Sequence, residues 1–570
     1  MNTKRWIIAD ELSPVQQETV AALGAAINVS DMLAGLLVQR GITDFEQAKA
    51  YFRPQLTHLH DPFTMQDMDL AVERLDAAIL NREKILVYGD YDVDGATSVA
   101  MFYGFLSRFS TDLEYYIPDR YSEGYGVSWQ SIEWAQQNGI TLIVTLDCGI
   151  KAMDKVAYAA TLGIDFIICD HHRPGDEIPE AVAVLDPKRA DCAYPYKELT
   201  GCGVGFKLLQ AWCIHTGKDP FELYDFLDLL VISIAADIVP ITGENRVLAY
   251  YGLLRLNSNP RKGIKALIKV AGFKDSLDIM NVVFGLGPRI NAAGRIKHAG
   301  EAVRLLLSDE EEEADNFAME INQHNNDRRN FDSTITEEAL LMIRDNDGFL
   351  QAKSTVLYKE DWHKGVIGIV ASRCIEHFHR PTIILTLSNG KATGSARSVP
   401  GFDVYEAIEE CAELLEQFGG HTFAAGLTLA PENVNLFREK FEATVSSRMM
   451  PDLLTPLINI DKEVSLSEIT QKMYNILKQM APFGPGNMAP VFASHQVSLV
   501  GVPMIMKEKH IKFEVTQDGV PPLTVIGFGM AEIYPQLISG NTFSICYTLN
   551  ENNFRNVKTL QLMLKDIRFS

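Results

Sequence analysis

Four short runs recur in the first half of the chain: KILVYG (84–89), TLIVTL (141–146), IDFIIC (164–169) and AVAVL (181–185). Each is rich in Ile, Val and Leu and lacks polar alternation, which is the pattern of strands buried on both faces of a parallel sheet. Helix-like stretches separate them, including 97–109 and 129–138. Strand–helix alternation of this kind dictates an α/β domain, and open parallel sheets collect ligands beyond the carboxyl ends of their strands.

The residues that follow the runs are therefore the candidates for chemistry. The first run leads into GDYDVDG, with Asp90, Asp92 and Asp94. The second leads into Asp147-Cys148-Gly149, and the third into Asp170-His171-His172-Arg173. A further apolar segment, DLLVISIAA, reads as a helix and ends at Asp237. A single aspartate in such a place is ordinarily a helix N-cap. Several on one sheet edge repel one another and call for cations. Mixed Asp and His donors favour Mn²⁺, Fe²⁺ or Zn²⁺ over Ca²⁺, with Mg²⁺ open where carboxylates dominate. An EF-hand is excluded because the apolar-leaning ATSVAMF follows Gly95 where further oxygen ligands belong. A structural zinc site on Cys148, Cys169 and His171 fits no usual ligand spacing, and Cys169 reads as a small core residue. Two ions bridged by an aspartate steady both the attacking and the leaving oxygen of a phosphoryl transfer.

Length and composition set the frame around this site. At 570 residues the chain is long enough for roughly three to five domains. Its eight cysteines form no CxxC pair, so a reducing, cytoplasmic setting is expected. The N-terminal apolar run WIIA is too short for a signal peptide, and no stretch approaches the ~18 apolar residues of a membrane span. A net charge of −22 argues against an architectural DNA-binding protein and is neutral for a metal-dependent enzyme. Residues 308–345 lack Pro and Gly and predict a long connecting helix, or two. A second α/β texture begins near Ser354. Short alternating runs such as HIKFEVTQ and LTVIGFG, from about Pro456 on, predict a small β-rich domain.

GDYDVDG, LDCG, DHH and AADIVP, in this order, resemble the DHH phosphoesterase superfamily, whose naming triplet stands here as Asp170-His171-His172. TGSARSVPGFDV (393–404) and FGGHTFAAG (418–426) resemble its DHH-associated domain. GYGV (124–127), GCGVGFKL (201–208) and GPRINAAGR (287–295) are similar to the bacterial single-strand-specific exonucleases of that superfamily. The resemblance runs from about Leu70 onward. It implies an N-terminal segment (1–69), a parallel-sheet DHH catalytic domain (70–305), a connecting helix (306–350), a smaller α/β substrate-binding domain (351–452) and a C-terminal β-barrel of oligonucleotide-binding type (453–570).

It further implies 5′→3′ exonuclease action on single-stranded DNA, releasing 5′ mononucleotides, in repair and recombination. Asp90, Asp92, Asp147, His171 and Asp237 are then the ligands of two divalent ions, Mn²⁺ or Mg²⁺, with Asp147 bridging. Asp94 is a ligand or a supporting carboxylate, and His172 a catalytic or phosphate-contacting histidine. Ser395 and Arg397 match a phosphate-binding pair usually written GSGRS, here with Ala396 in place of the middle glycine. A forked guanidinium beside a hydroxyl suits phosphate. His421, after Gly419 and Gly420, is expected to face the cleft, and Arg120, Arg289, Asn291 and Arg295 to line the DNA path. Phe483, Phe492 and Phe513 are candidates for base stacking in the barrel. The implied partners are a single-stranded DNA-binding protein and a RecQ-type helicase, the enzyme itself being a monomer with no membrane association. The rivals are a phosphoesterase of short oligonucleotides or cyclic dinucleotides, and a non-catalytic scaffold.

Overall fold

The computed structural model describes residues 4–297, 299–554 and 557–569. Its first sheet has five parallel strands: β1 (Ile85–Gly89), β2 (Leu113–Tyr116), β3 (Leu142–Leu146), β4 (Asp165–Cys169) and β5 (Ala183–Leu185), in the spatial order β2-β1-β3-β4-β5. The four apolar runs are all strands. β2 lies at the edge, where a polar and aromatic sequence, LEYY, suffices because only part of it is buried. The chain leaves β1 for one side and returns for β3 on the other, so the topological switch falls beside β1. Register places Gly89 opposite Leu146 and Leu146 opposite Cys169. Asp90, Asp147 and Asp170 therefore leave three adjacent strands at the same level.

Helices cover both faces of this sheet. Among them α1 (Val93–Leu106), α2 (Gly201–Thr216) and α3 (Leu227–Ala236) are almost wholly buried, which explains why DLLVISIAA carries no polar face. Then α4 (Gly287–Ile296) and α5 (Gly300–Leu307) lead into α6 (Glu311–Arg344), one unbroken helix of 34 residues. Its three acidic residues in the first turn suit the positive end of the helix dipole.

The second sheet is mixed: β6 (Thr355–Tyr358), β7 (Thr382–Ser388), β8 (Lys391–Arg397), β9 (Gln417–His421) and β10 (Ala424–Leu429), ordered β9-β10-β8-β7-β6, with α7 (Ile367–Phe378) packed on β7 and β8. The last sheet is a closed barrel of β11 (Lys462–Glu463), β12 (Phe492–Met506), β13 (His510–Thr516), β14 (Leu523–Gly527), β15 (Phe543–Phe554) and β16 (Val557–Phe569), closed by pairing of β12 with β15.

One expectation changes. Phe492 and Phe513 are in the barrel core, 0% and 2% exposed, so neither presents a face for stacking, whereas Phe483 is half-buried and lines a pocket beside the barrel. The N-terminal segment packs against the barrel. Its helices Pro14–Ile27, Asp31–Val38 and Phe45–Phe52 share one hydrophobic core with the barrel, and its strand Arg5–Ile8 pairs in parallel with Leu457–Ile460. Arg246 ties the catalytic body to this unit, donating to the carbonyls of Tyr51, Met480 and Ala481. Among the described residues no single helix is long and apolar enough to cross a membrane.

Candidate active site

The strand ends deliver Asp90, Asp147 and Asp170, the loop after β1 adds Asp92, and the first turn of α1 adds Asp94. Asp92 is the N-cap of α1, accepting from the Gly95 amide at 3.0 Å, so the ordinary capping role and membership of the cluster coexist. Gly95 is needed for this turn, since a Cβ there would stand 2.2 Å from the Asp90 carbonyl. Asp147 has φ +62°, a left-handed backbone that only over-determined surroundings hold. Gly201 at the start of α2 supplies them, packing so closely that a Cβ would lie 2.4 Å from the Asp147 Cβ. Asp237 arrives from the C-terminal end of α3.

Ligand atoms of Asp90, Asp92 and Asp147 lie within 4.8 Å of one another, as do those of Asp147, His171 and His172, and of Asp94, His171 and Asp237. His171 Nε2 is 3.1 Å from Asp147 Oδ1 and 3.7 Å from Asp237 Oδ2. Asp94 differs from the rest. Its carboxylate accepts from the amides of Gly201 (2.7 Å) and Cys202 (3.0 Å) and from Ser233 Oγ (2.7 Å). It caps α2 from outside and holds that helix against the cluster.

Asp170, which the sequence reading left without a role, organises the histidines. It accepts from the amides of His171 (2.7 Å) and Ile150 (2.9 Å) and contacts His172 Nδ1 at 2.8 Å. Burial works against its charge, but the hydrogen bond and charge of His172 prevail and bring the carboxyl down to about 2. Burial likewise opposes charge on His172, yet Asp170, Asp237 and Asp94 raise it to about 9. The Tyr125 hydroxyl, also missed from the sequence although GYGV contains it, lies 3.1 Å from His172 Nε2.

The remaining carboxylates are set the other way. Burial, reinforced by the other aspartates, pushes Asp90 and Asp147 well above the ordinary carboxylate range and Asp237 up to about 8. Buried carboxylates that crowd one another in this way call for a cation, and the donor set of carboxylates plus imidazole suits a divalent one.

A second region adjoins the first and carries the opposite charge. A pocket of about 460 Å³, lined by Tyr91, Arg120, Tyr125, Arg295, Ser395 and Arg397 among others, lies between the two halves. Arg397 donates to Ser395 Oγ at 2.9 Å, Arg295 to the Gly365 carbonyl at 2.9 Å, and Arg120 sits over the Tyr91 ring at 4.7 Å. Burial and then the neighbouring Arg120, Arg328 and Arg397 depress Arg295 to about 10. Guanidiniums that crowd each other beside a hydroxyl call for an anion. The N-terminus of α7, with no side-chain cap, points the same way, and Gly368 in its first turn leaves room for Ser395 and Arg397, 2.9 and 2.8 Å from where a Cβ would stand.

The other candidates lie apart from this pocket. Arg289 donates to Asn322 Oδ1 and the Gly285 carbonyl, so it joins α4 to α6. Asn291 is half-buried on α4 and does not line the pocket. His421 ends β9, exposed. Burial and then the charges of Lys151, His172 and Arg173 disfavour its charged form.

Comparison with known proteins places the chain among characterised relatives. Family models match residues 84–234 (DHH family, N-terminal domain), 351–447 (DHHA1 domain) and 460–566 (RecJ OB domain). The chain is 37% identical to the single-stranded-DNA-specific exonuclease RecJ of Bacillus subtilis, over 99% of this chain and 71% of that protein. It is 33% identical to the RecJ of Escherichia coli, over 94% and 95% respectively. A crystal structure of RecJ from Thermus thermophilus in complex with Mn²⁺ superposes with a TM-score of 0.83 at 26% identity, covering 99% of this chain and 79% of that one. A Mg²⁺ complex of the same protein gives 0.78 at 25% identity, covering 99% and 78%.

Proposed function

The chain belongs to the RecJ family of single-stranded-DNA-specific exonucleases, and from that membership we propose that it removes 5′ mononucleotides from single-stranded DNA, 5′ to 3′, with two divalent ions, Mn²⁺ or Mg²⁺. The observation that carries this reading is the adjacency of a cation-seeking carboxylate cluster and an anion-seeking arginine pocket, with Tyr91 and Tyr125 between them.

Asp90, Asp92, Asp147, His171 and Asp237 would hold the ions, Asp147 between them. When bound, the pair supplies positive charge to the attacking and leaving oxygens of the scissile phosphodiester. Arg397 and Ser395, with Arg120, Arg295 and the α7 N-terminus, bind the 5′-terminal phosphate and so set which linkage lies over the carboxylates. His172, held by Asp170 at Nδ1 and by the Tyr125 hydroxyl beside Nε2, faces the phosphate or the departing oxygen. Asp94 positions α2 without ligating.

We assign the chemistry to 70–305, terminal phosphate binding to 351–452 and the strand's outward path to 453–570, where Phe528, 62% exposed and edge-on to His510, stacks a base. The barrel favours a polymer over a dinucleotide substrate. Single-stranded DNA-binding protein and a RecQ-type helicase are the proposed partners, in cytoplasmic repair and recombination. The test is digestion of 5′- and 3′-labelled single strands and duplexes while Mn²⁺ and Mg²⁺ are titrated. Mononucleotides leaving the 5′ end of single strands are expected; faster cleavage of a dinucleotide, or loss from the 3′ end, overturns the reading.

A further inference from the structure

A second group of potential metal ligands lies outside the active site, where α5 meets the connecting helix α6. Glu301 stands in the first turn of α5, and Glu320 and His324 stand one turn apart on α6. One ligand atom from each lies within 4.8 Å of the other two. The i, i+4 spacing puts the α6 pair on one face, as metal-binding helices require.

The contacts within this group are unusual. The His324 side chain is only 8% exposed, and its Nε2 has no hydrogen-bond partner. The atom it faces, Glu301 Oε2, is also buried without a partner, although the two are 3.4 Å apart. Two such polar atoms meeting without a hydrogen bond each carry a desolvation cost of about 1–3 kcal/mol, and such orphans call for an ion or water. Their separation has a simple geometric meaning. A tetrahedral ion with bonds of about 2.0–2.1 Å holds adjacent ligands roughly 3.3 Å apart. The cation that contacts this group is Lys297, whose Nζ reaches Glu320 Oε1 at 3.0 Å and Glu301 Oε1 at 3.9 Å. That side chain is half exposed and free to swing out to water. It leaves the Glu301–His324 gap unbridged.

We propose that Glu301, Glu320 and His324 form a further divalent-cation site, of the imidazole–carboxylate kind that takes Mn²⁺ or Zn²⁺ in preference to Mg²⁺. The site shares no ligand with the active-site cluster. Its place in the chain gives it a use: Glu301 lies six residues after Arg295 of the phosphate pocket, and α6 leads to the half that carries Ser395 and Arg397. An ion here pins the segment behind Arg295 to the helix that joins the two halves.

The test counts ions. Full-length chain and its E301Q/H324A variant are stripped with chelator, equilibrated with Mn²⁺, and the bound metal is measured by elemental analysis. The variant is expected to bind one ion per chain fewer, with Zn²⁺ competing for that ion and Mg²⁺ at equal concentration failing to. K297M, which removes the competing charge, is expected to tighten that same ion several-fold, an effect no purely structural His–Glu contact produces. Should the double variant not fold, E320Q, on the exposed side, is expected to weaken the last ion at least about 10-fold. Equal stoichiometry and affinity in the wild type and these variants overturns the proposal.

Discussion

The carboxylate cluster and the arginine pocket touch, yet they are made in opposite ways. The cluster is built almost entirely on one rigid frame, three level strand ends and the helix termini behind them. The pocket is assembled from both halves, with Arg120 and Arg295 from one and Ser395, Arg397 and the α7 N-terminus from the other. One holds too much negative charge and the other too much positive. Each is therefore poor as isolated structure and good as a receptor, and the two receptors side by side match a phosphodiester strand with its ions. On the proposed reading, the chemistry rests on a fixed edge, whereas end recognition depends on how the two halves are held together.

Substitutions that strike one region alone sharpen this contrast. The largest effect is expected from Asp147→Asn, chosen because asparagine accepts the left-handed backbone. Turnover falls about 10³-fold or more. Meanwhile the metal-free protein melts no lower than wild type, because one repelling charge is gone; a lower melting temperature would contradict the crowding argument. Next comes Arg397→Ala, which removes a charged donor worth about 1.5–3 kcal/mol. It is expected to lower kcat/KM on 5′-phosphorylated strands about 10–100-fold while Mn²⁺ stoichiometry by dialysis stays unchanged.

Asp94→Asn probes the support behind the cluster. An amide nitrogen in place of one carboxylate oxygen cannot accept, so either the Gly201 amide or the Cys202 amide and Ser233 hydroxyl lose their acceptor, and α2 shifts away. Mn²⁺ affinity or activity is expected to drop about 10–100-fold. A complete loss like that of Asp147→Asn would make Asp94 a ligand instead. The smallest effect on chemistry is expected from Arg246→Ala, which touches neither region. Loss of its carbonyl contacts loosens the catalytic body from the barrel, to be read as earlier proteolysis between 451 and 490, with mononucleotide cleavage nearly intact.

Much of the carboxylate cluster was legible because its members follow strands that announce themselves. Uniformly apolar runs betray burial on both faces, and each ends at its aspartate. The contacts of Asp94 and Asp170 were not legible, because their partners, Gly201, Ser233 and Ile150, are set by tertiary packing and leave no local pattern. The edge strand Leu113–Tyr116 lacks the apolar signature for the same reason that it lies at the edge. Arg120, Arg295, Ser395 and Arg397 carried signals of composition and resemblance, whereas Arg289 in the same GPRINAAGR stretch turned to α6; helical phase separates it from Arg295, and the sequence does not say which face meets the cleft. In the barrel, Phe513 alternates with Lys512 and Glu514, and alternation alone does not say which side is core.

The central claim is that end recognition and chemistry reside in separate, adjoining regions. Its most direct test is the binding of one single-stranded oligonucleotide, with and without a 5′-phosphate, to Asp147→Asn and to Arg397→Ala in the presence of Mn²⁺. The expected result is that Asp147→Asn, though inert, keeps the preference for the phosphorylated end, and that Arg397→Ala loses it. A preference lost in Asp147→Asn, or kept in Arg397→Ala, would contradict the account.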